Sequence, residues 1–184
     1  MKQILATVLA FLFVPVTLSF AVAGDESDWS TPVNGLQARL SLARTQPFNG
    51  TPLIATYLEL RNVSNVAEVM EVPLKFEAIQ FEVVDEQNRH VAPTGGPFDE
   101  LTVELGMLRL PHDSYLRFNI SHHGVGVPKD QSALLDLGVL QSWVFGRGDR
   151  RSYYLRGRFS VEKSRDRIWS GTIEIPKAKI PTAE

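Results

Sequence analysis

Leu36-Gln37-Ala38-Arg39-Leu40-Ser41-Leu42 alternates apolar and polar residues without a break, and Leu53-Ile54-Ala55-Thr56-Tyr57-Leu58-Glu59-Leu60-Arg61 takes up the alternation after a turn at Pro47-Phe48-Asn49-Gly50. Successive side chains of a strand point to opposite faces, whereas a helix repeats every 3.6 residues. Leu36, Ala38, Leu40 and Leu42 therefore share one face. On the next run Ile54, Thr56, Leu58 and Leu60 form one face, and Ala55, Tyr57, Glu59 and Arg61 the other. Two half-buried strands joined by turn residues set the pattern for the chain.

The same period recurs downstream. Asn62-Val63-Ser64-Asn65 has turn chemistry, and Val69, Glu71 and Pro73 read as an edge strand, because proline cannot donate to a central ladder. A short helix around Ala67 is the less favoured alternative there. Ile79, Phe81 and Val83 alternate with polar neighbours up to a hairpin at Asp85-Glu86-Gln87-Asn88, and Arg89 to Ala92 returns. Pro93-Thr94-Gly95-Gly96-Pro97 is an irregular loop. Strands are expected over Leu101–Leu110, Tyr115–Ile120, Leu140–Phe145, Tyr153–Val161 and Ile168–Ile175, the last ended by Pro176. Asp130 is placed to cap a short helix carrying Ala133, Leu134 and Leu137. About eight short strands separated by turn signals point to a sandwich or barrel. Strands do not alternate with long helices, so a parallel α/β sheet is not expected.

The first residues form a targeting signal. Lys2 precedes an apolar stretch from Ile4 to Val14, Pro15 breaks it, and Ala21-Val22-Ala23 is a small-x-small cleavage site. We place the cut after Ala23. The alternative is an uncleaved anchor, weakened by Thr7, Pro15, Thr17 and Ser19 and by the lack of a basic stop-transfer cluster. No second apolar run is long enough to span a bilayer. Residues 24–34 are expected to be a flexible N-terminal segment, 35–176 the β domain and 177–184 a loose tail. A destination outside the cytoplasm, periplasmic or extracellular, follows.

The 184 residues contain no cysteine. That excludes disulfide staples, a thiol nucleophile, thiolate metal sites and a lipid on an N-terminal cysteine. A net charge of −2 with interspersed signs argues against nucleic acid, which selects a basic field. The single basic cluster, with Arg147, Arg150, Arg151, Arg156 and Arg158, reads as a loop and the outward face of the next strand rather than as a polyanion site.

Three stretches together resemble immunoglobulin-like sandwich domains of exported bacterial proteins. They are Leu58-Glu59-Leu60-Arg61-Asn62-Val63-Ser64, Phe81-Glu82-Val83-Val84-Asp85-Glu86-Gln87-Asn88-Arg89 and Leu110-Pro111-His112-Asp113-Ser114-Tyr115-Leu116-Arg117-Phe118. The resemblance covers about Gly35 to Ile175. It implies an antiparallel immunoglobulin-like β-sandwich of about 7–9 strands and a binding or scaffolding role. His112 stands where such a turn often carries glycine, and the disulfide and companion tryptophan of antibody domains are absent. No functional residue transfers.

Candidate chemistry is sparse. His122 and His123 are neighbours and would point to opposite faces of a strand; with His112 and His90 they show no recognised zinc or copper spacing. No serine sits in Gly-x-Ser-x-Gly. Asp85-Glu86 and Asp99-Glu100 read as turn residues rather than a glycosidic pair. Arg147-Gly148-Asp149 matches an adhesion tripeptide, though a solvated loop has the same composition. Asn49-Gly50-Thr51, Asn62-Val63-Ser64 and Asn119-Ile120-Ser121 fit the glycosylation pattern. Trp143, Phe145, Tyr153, Tyr154, Phe159 and Trp169 are expected in the core rather than as a sugar-stacking row, with Tyr153 or Tyr154 able to form a tyrosine-corner hydrogen bond.

No residue is therefore assigned a catalytic, cofactor-binding or metal-ligating role, and no cofactor is expected. The expected function is non-catalytic binding of a protein or cell-envelope component, through end loops or a free strand edge. One version is a proteinase inhibitor using the loop Pro93 to Pro97. Two alternatives are a small envelope hydrolase, in which His112 or His123 meets a carboxylate in a pocket, and a metal-handling periplasmic protein.

Overall fold

The computed structural model describes residues 25–65, 69–95, 104–121, 128–137, 141–163 and 168–182. The leader at 1–23, the helix alternative at Ala67, the strand residues 101–103, His122 and His123 lie outside the described residues. What is described is nearly all β. The strands are β1 (Asp25–Glu26), β2 (Leu36–Phe48), β3 (Thr51–Asn62), β4 (Met70–Lys75), β5 (Ile79–Asp85), β6 (His90–Val91), β7 (Glu104–Leu110), β8 (Tyr115–Asn119), β9 (Ala133–Asp136), β10 (Ser142–Phe145), β11 (Tyr153–Val161) and β12 (Gly171–Lys179). One turn of 3-10 helix, Phe76–Ala78, precedes β5.

The strands form several sheets. One runs β1-β2-β3-β9-β10, with β8 also paired to β3; a second runs β12-β11-β5-β6; β4 and β7 form a two-stranded ribbon. The alternation that opened the sequence accounts for the packing. Leu36, Ala38, Leu40 and Leu42 are fully buried, opposite Leu58 and Leu60 of β3. They join one apolar cluster that also takes Val72, Leu74 and Leu110 from the ribbon and Ile79, Val83, Leu155, Phe159, Ile173 and Ile175 from the second sheet. Each such side chain contributes about 1.5–3 kcal/mol by leaving water, so this shared cluster binds the three sheets together.

The β2–β3 hairpin is longer than the alternation alone implies. It closes on the two-residue loop Asn49-Gly50, with φ of 53° and 76°, the positive pair that matches the twist of a hairpin. A bulge between Arg44 and Pro47 accommodates the proline.

Several expectations are corrected. Ala133–Asp136 is strand, not helix. Asp130 has φ +54°, whereas a helix N-cap needs the β region. Ala133, Leu134 and Leu135 are buried in succession, so β9, paired with β3 and β10, is covered on both faces. Pairing is not uniformly antiparallel: Leu53 of β3 meets Leu134 of β9 in parallel, while Tyr57–Arg61 of the same strand pair antiparallel with β8. Pro176 does not end the last strand. The bulge between Leu155 and Gly157 falls opposite it, on a strand that among the described residues pairs only with β11, a position where a missing N–H costs no ladder bond. Residues 177–179 are thus strand rather than loose tail, and Ile180 is fully buried with its N–H donated to Tyr153 O at 2.8 Å.

The segment expected to be flexible, 24–34, is held from Asp25 onward. β1 pairs with β2. Ser27 and Ser30 are buried, and their hydroxyls accept from Leu40 N and Ala38 N, both at 3.0 Å. No helix among the described residues is long and apolar enough to cross a membrane.

Candidate functional site

The face of β3 expected to be wet is covered. Glu59 is 1% exposed there. Register explains how: Arg39 of β2 and Arg117 of β8 stand directly opposite it, one on each side. Arg39 Nε donates to Glu59 Oε2 at 2.8 Å, and Arg117 Nε lies 3.5 Å from Oε1. Arg39 also meets Glu26 at 2.7 Å. Each guanidinium sits over an aromatic ring, Arg39 over Trp29 at 4.7 Å and Arg117 over Tyr57 at 4.1 Å. Sequence reading put Glu59 on the outer face but did not foresee its burial, because the arginines that enclose it come from strands whose pairing only the fold defines.

Beside this row lies the edge of the sheet. β8 pairs with β3 without a register shift. Asn62 N donates to Ser114 O at 3.0 Å and Ile120 N to Thr56 O at 2.9 Å. These fix the phase of the antiparallel ladder: the N–H and C=O groups of Leu116 and Phe118 face β3, and those of Tyr115, Arg117 and Asn119 face away from it. No strand pairs with that side among the described residues. The large apolar side chains left exposed among the described residues are Val69, Met107, Tyr115 and Leu116. Met107 is on β7 and Val69 precedes β4, so these residues gather on the ribbon and on β8, which the short turn at 111–114 joins to β7. That turn is held by Asn62, which is fully buried; its Nδ2 donates to Leu110 O at 2.9 Å and its Oδ1 accepts from Ser64 N at 3.0 Å.

The sequence-level candidates fall as follows. His112 Nε2 lies 3.2 Å from Asp113 Oδ2, but both residues are exposed on that turn, a carboxylate contact between chain neighbours and not a pocket. His90 is exposed, 3.7 Å from Glu82. The described residues contain no group of three or more His, Cys, Asp or Glu side chains placed to hold a metal ion. In Arg147-Gly148-Asp149 the acid is already engaged: Asp149 binds Arg151 through both oxygens, at 3.0 and 2.8 Å, and accepts from the Tyr153 hydroxyl at 2.5 Å. The Arg151 hydrogen bond, with the Tyr153 bond and despite partial burial, holds the Asp149 carboxyl far below the usual range. Burial first, and the Asp149 bond second, push the Tyr153 phenol up to about 12. This is a tyrosine tied to a side chain four residues upstream, where the expected corner would use backbone. Asn62, being buried and committed, is closed to glycosylation.

The basic cluster divides as expected, with Arg147, Arg150 and Arg151 on the loop before β11 and Arg156 and Arg158 on its outward face. Arg156 pairs with Glu82, Arg158 with Glu174 at 3.2 Å and Arg147 with Asp130 at 3.5 Å. A groove of about 630 Å³ lies over β5, β11 and β12, and the Arg156–Glu82 and Arg158–Glu174 pairs line it. Trp143, Phe145, Tyr153, Phe159 and Trp169 are buried, as expected of core aromatics. Both tryptophans donate to carbonyls, Trp143 to Val91 O and Trp169 to Val33 O, each at 2.9 Å. Phe159 and Trp169 stack at 5.2 Å. Only Tyr154 of that set is half-exposed, with Lys177 over its ring at 4.8 Å, so no sugar-stacking row is present among the described residues. Pro93 to Gly95, the described half of the candidate inhibitory loop, is tied to β10: Thr94 N donates to Ser142 O at 2.9 Å and Thr94 Oγ1 accepts from Val144 N at 3.0 Å.

No family model, no curated protein and no solved structure matches this chain.

Proposed function

We propose that this chain is a non-catalytic exported binding module, built as an immunoglobulin-like sandwich, that takes a β-strand of a protein or cell-envelope partner onto its β8 edge. The observation that carries the reading is the outer side of β8: backbone groups of Tyr115, Arg117 and Asn119 aimed away from the sheet, next to exposed Tyr115 and Leu116. Strand addition uses such a row of groups for affinity and alternate side chains for specificity. The leader-like first residues support export, and sheets of mostly antiparallel strands drawing on one core support the sandwich.

The test is a photoreactive residue in place of Tyr115, with Asp25, on the short strand β1, as the control position. A defined envelope or secreted partner captured from Tyr115 and not from Asp25 is the expected result. Equal labelling from both positions overturns the assignment.

A second reading, proteinase inhibition, is favoured by the fastening of Pro93-Thr94-Gly95 to β10, since an inhibitory loop works by being rigid before it binds. A panel of serine, cysteine and metalloproteases assayed with micromolar pure protein decides it; no inhibition removes this reading and leaves the first intact.

A further inference from the structure

We infer that the strand that adds to β8 is β8 of a second copy of this chain, giving a two-fold dimer whose two sheets run on as one. The inference rests on the strand-docking reading above and names its partner.

The first argument is what the edge lacks. Natural edge strands are protected against pairing with their own kind by lysines, prolines, bulges or inward charges. β8 has none of these devices. Its register with β3 is unbroken, it contains no proline or lysine, and its one charged residue, Arg117, lies beside Glu59 at 3.5 Å. Every copy also meets this same edge on other copies at its own concentration.

The second argument is register. A two-fold pairing must match outward-facing groups with outward-facing groups. Centring the axis on Arg117 sets two guanidinium groups opposite each other, and like charges directly opposite destabilise a pair. Centring it on Leu116 sets Leu116 against Leu116 on one face. On the other face it sets Tyr115 against Arg117 of the second copy, twice. Leu116 is 38% exposed and Tyr115 63%, so both have surface to lose. Arg117 already has Tyr57 on one side of its guanidinium; Tyr115 of the second copy would bring a second aromatic to the same cation, a favourable pairing. The Leu116-centred register therefore gives exposed Tyr115, Leu116 and Arg117 each a partner on the second copy.

A five-residue edge is a small contact, well below the area of a standard stable interface, so the dimer is weak, with a Kd on the order of 100 μM. Sedimentation equilibrium of the mature protein from about 10 μM to 1 mM reads it. The expected result is a monomer–dimer equilibrium across that range, with hydrogen exchange at the Tyr115 and Arg117 amides slowing as concentration rises. Leu116→Lys places two ammonium groups at the axis and is expected to weaken dimerisation at least tenfold. Tyr115→Pro removes an outward N–H at the first residue of the strand, where the β3 ladder loses nothing, and is expected to do the same with the far-ultraviolet spectrum unchanged. If one variant does not fold, the other still decides. A wild-type protein that stays monomeric to 1 mM overturns the inference, as does a dimer that survives both substitutions. A monomer that still gives a Tyr115-specific crosslink to another protein sinks the self-pairing alone, whereas loss of that crosslink sinks the edge reading itself.

Discussion

Replacing Glu59 with glutamine tests whether the carboxylate row on β2, β3 and β8 is a buried interaction or a surface ornament. Glu59 Oε2 receives Arg39 Nε at 2.8 Å with the glutamate 1% and the arginine 23% exposed, and a charge-assisted hydrogen bond of this kind is worth about 1.5–3 kcal/mol. The Arg117 contact is longer, 3.5 Å, and that side chain is 42% exposed, so it adds only about 0.5 kcal/mol. Glutamine keeps the shape and one acceptor. Arg39 retains Glu26, and Arg117 retains Ser41 Oγ at 3.2 Å, so the arginines are not stranded. The expected net loss is about 2–3 kcal/mol at neutral pH, a fall in Tm of about 4–12 °C for a domain of this size. Urea unfolding followed by tryptophan fluorescence, fitted at a common m value, measures it. Because the pair is shielded, 0.5 M salt should leave most of the difference in place. Pairing Glu59→Leu with Arg39→Met is expected to recover much of what Glu59→Leu alone loses, since apolar replacement of a whole buried pair is tolerated better than removal of one partner. A Glu59→Gln protein within 0.5 kcal/mol of wild type would refute the reasoning.

Three further outcomes are expected. Asp149 is held far below the usual carboxylate range by Arg151 and Tyr153, so its folded-state value lies under its unfolded one; its contribution is present above pH about 4 and fades as pH falls toward the folded value. Asp149→Asn should therefore cost about 1–2 kcal/mol at pH 7 and little at pH 2, measured by urea midpoints at both. Tyr153 has the opposite sign: its folded value, about 12, lies above the ordinary phenol, so its contribution holds below pH 10 and is lost between 10 and 12. Absorbance titration near 295 nm should show one late-ionising phenol, absent in Tyr153→Phe. Gly157→Ala places a Cβ 2.8 Å from the Phe81 ring and should destabilise by about 1–3 kcal/mol, with the Phe81 ring signals shifted in the NMR spectrum.

The strands with clean alternation were legible because burial on one face writes itself into every second residue: Tyr153–Val161 is found with the bounds its pattern gave. Ala133–Asp136 was not, because a strand covered on both faces loses the alternation and reads like helix. The extent of β12 past Pro176 was hidden by a proline that a bulge on an edge strand accommodates. The core aromatics were legible from size alone. The candidate site was legible only in part. Binding through a free strand edge was a general expectation, but which edge is free depends on long-range pairing, and so does the meeting of Arg39, Glu59 and Arg117 across three separate segments.

The tight Asn49-Gly50 loop also limits how this protein can change over time. Slipping β3 by one residue against β2 would swing Glu59 into the oil and Leu58 and Leu60 into the water. Away from the bulge between Arg44 and Pro47, which already absorbs one residue, deleting or inserting a single residue in either arm of that hairpin is thus a far harsher lesion than removing or adding two. Length variants that survive should differ in steps of two.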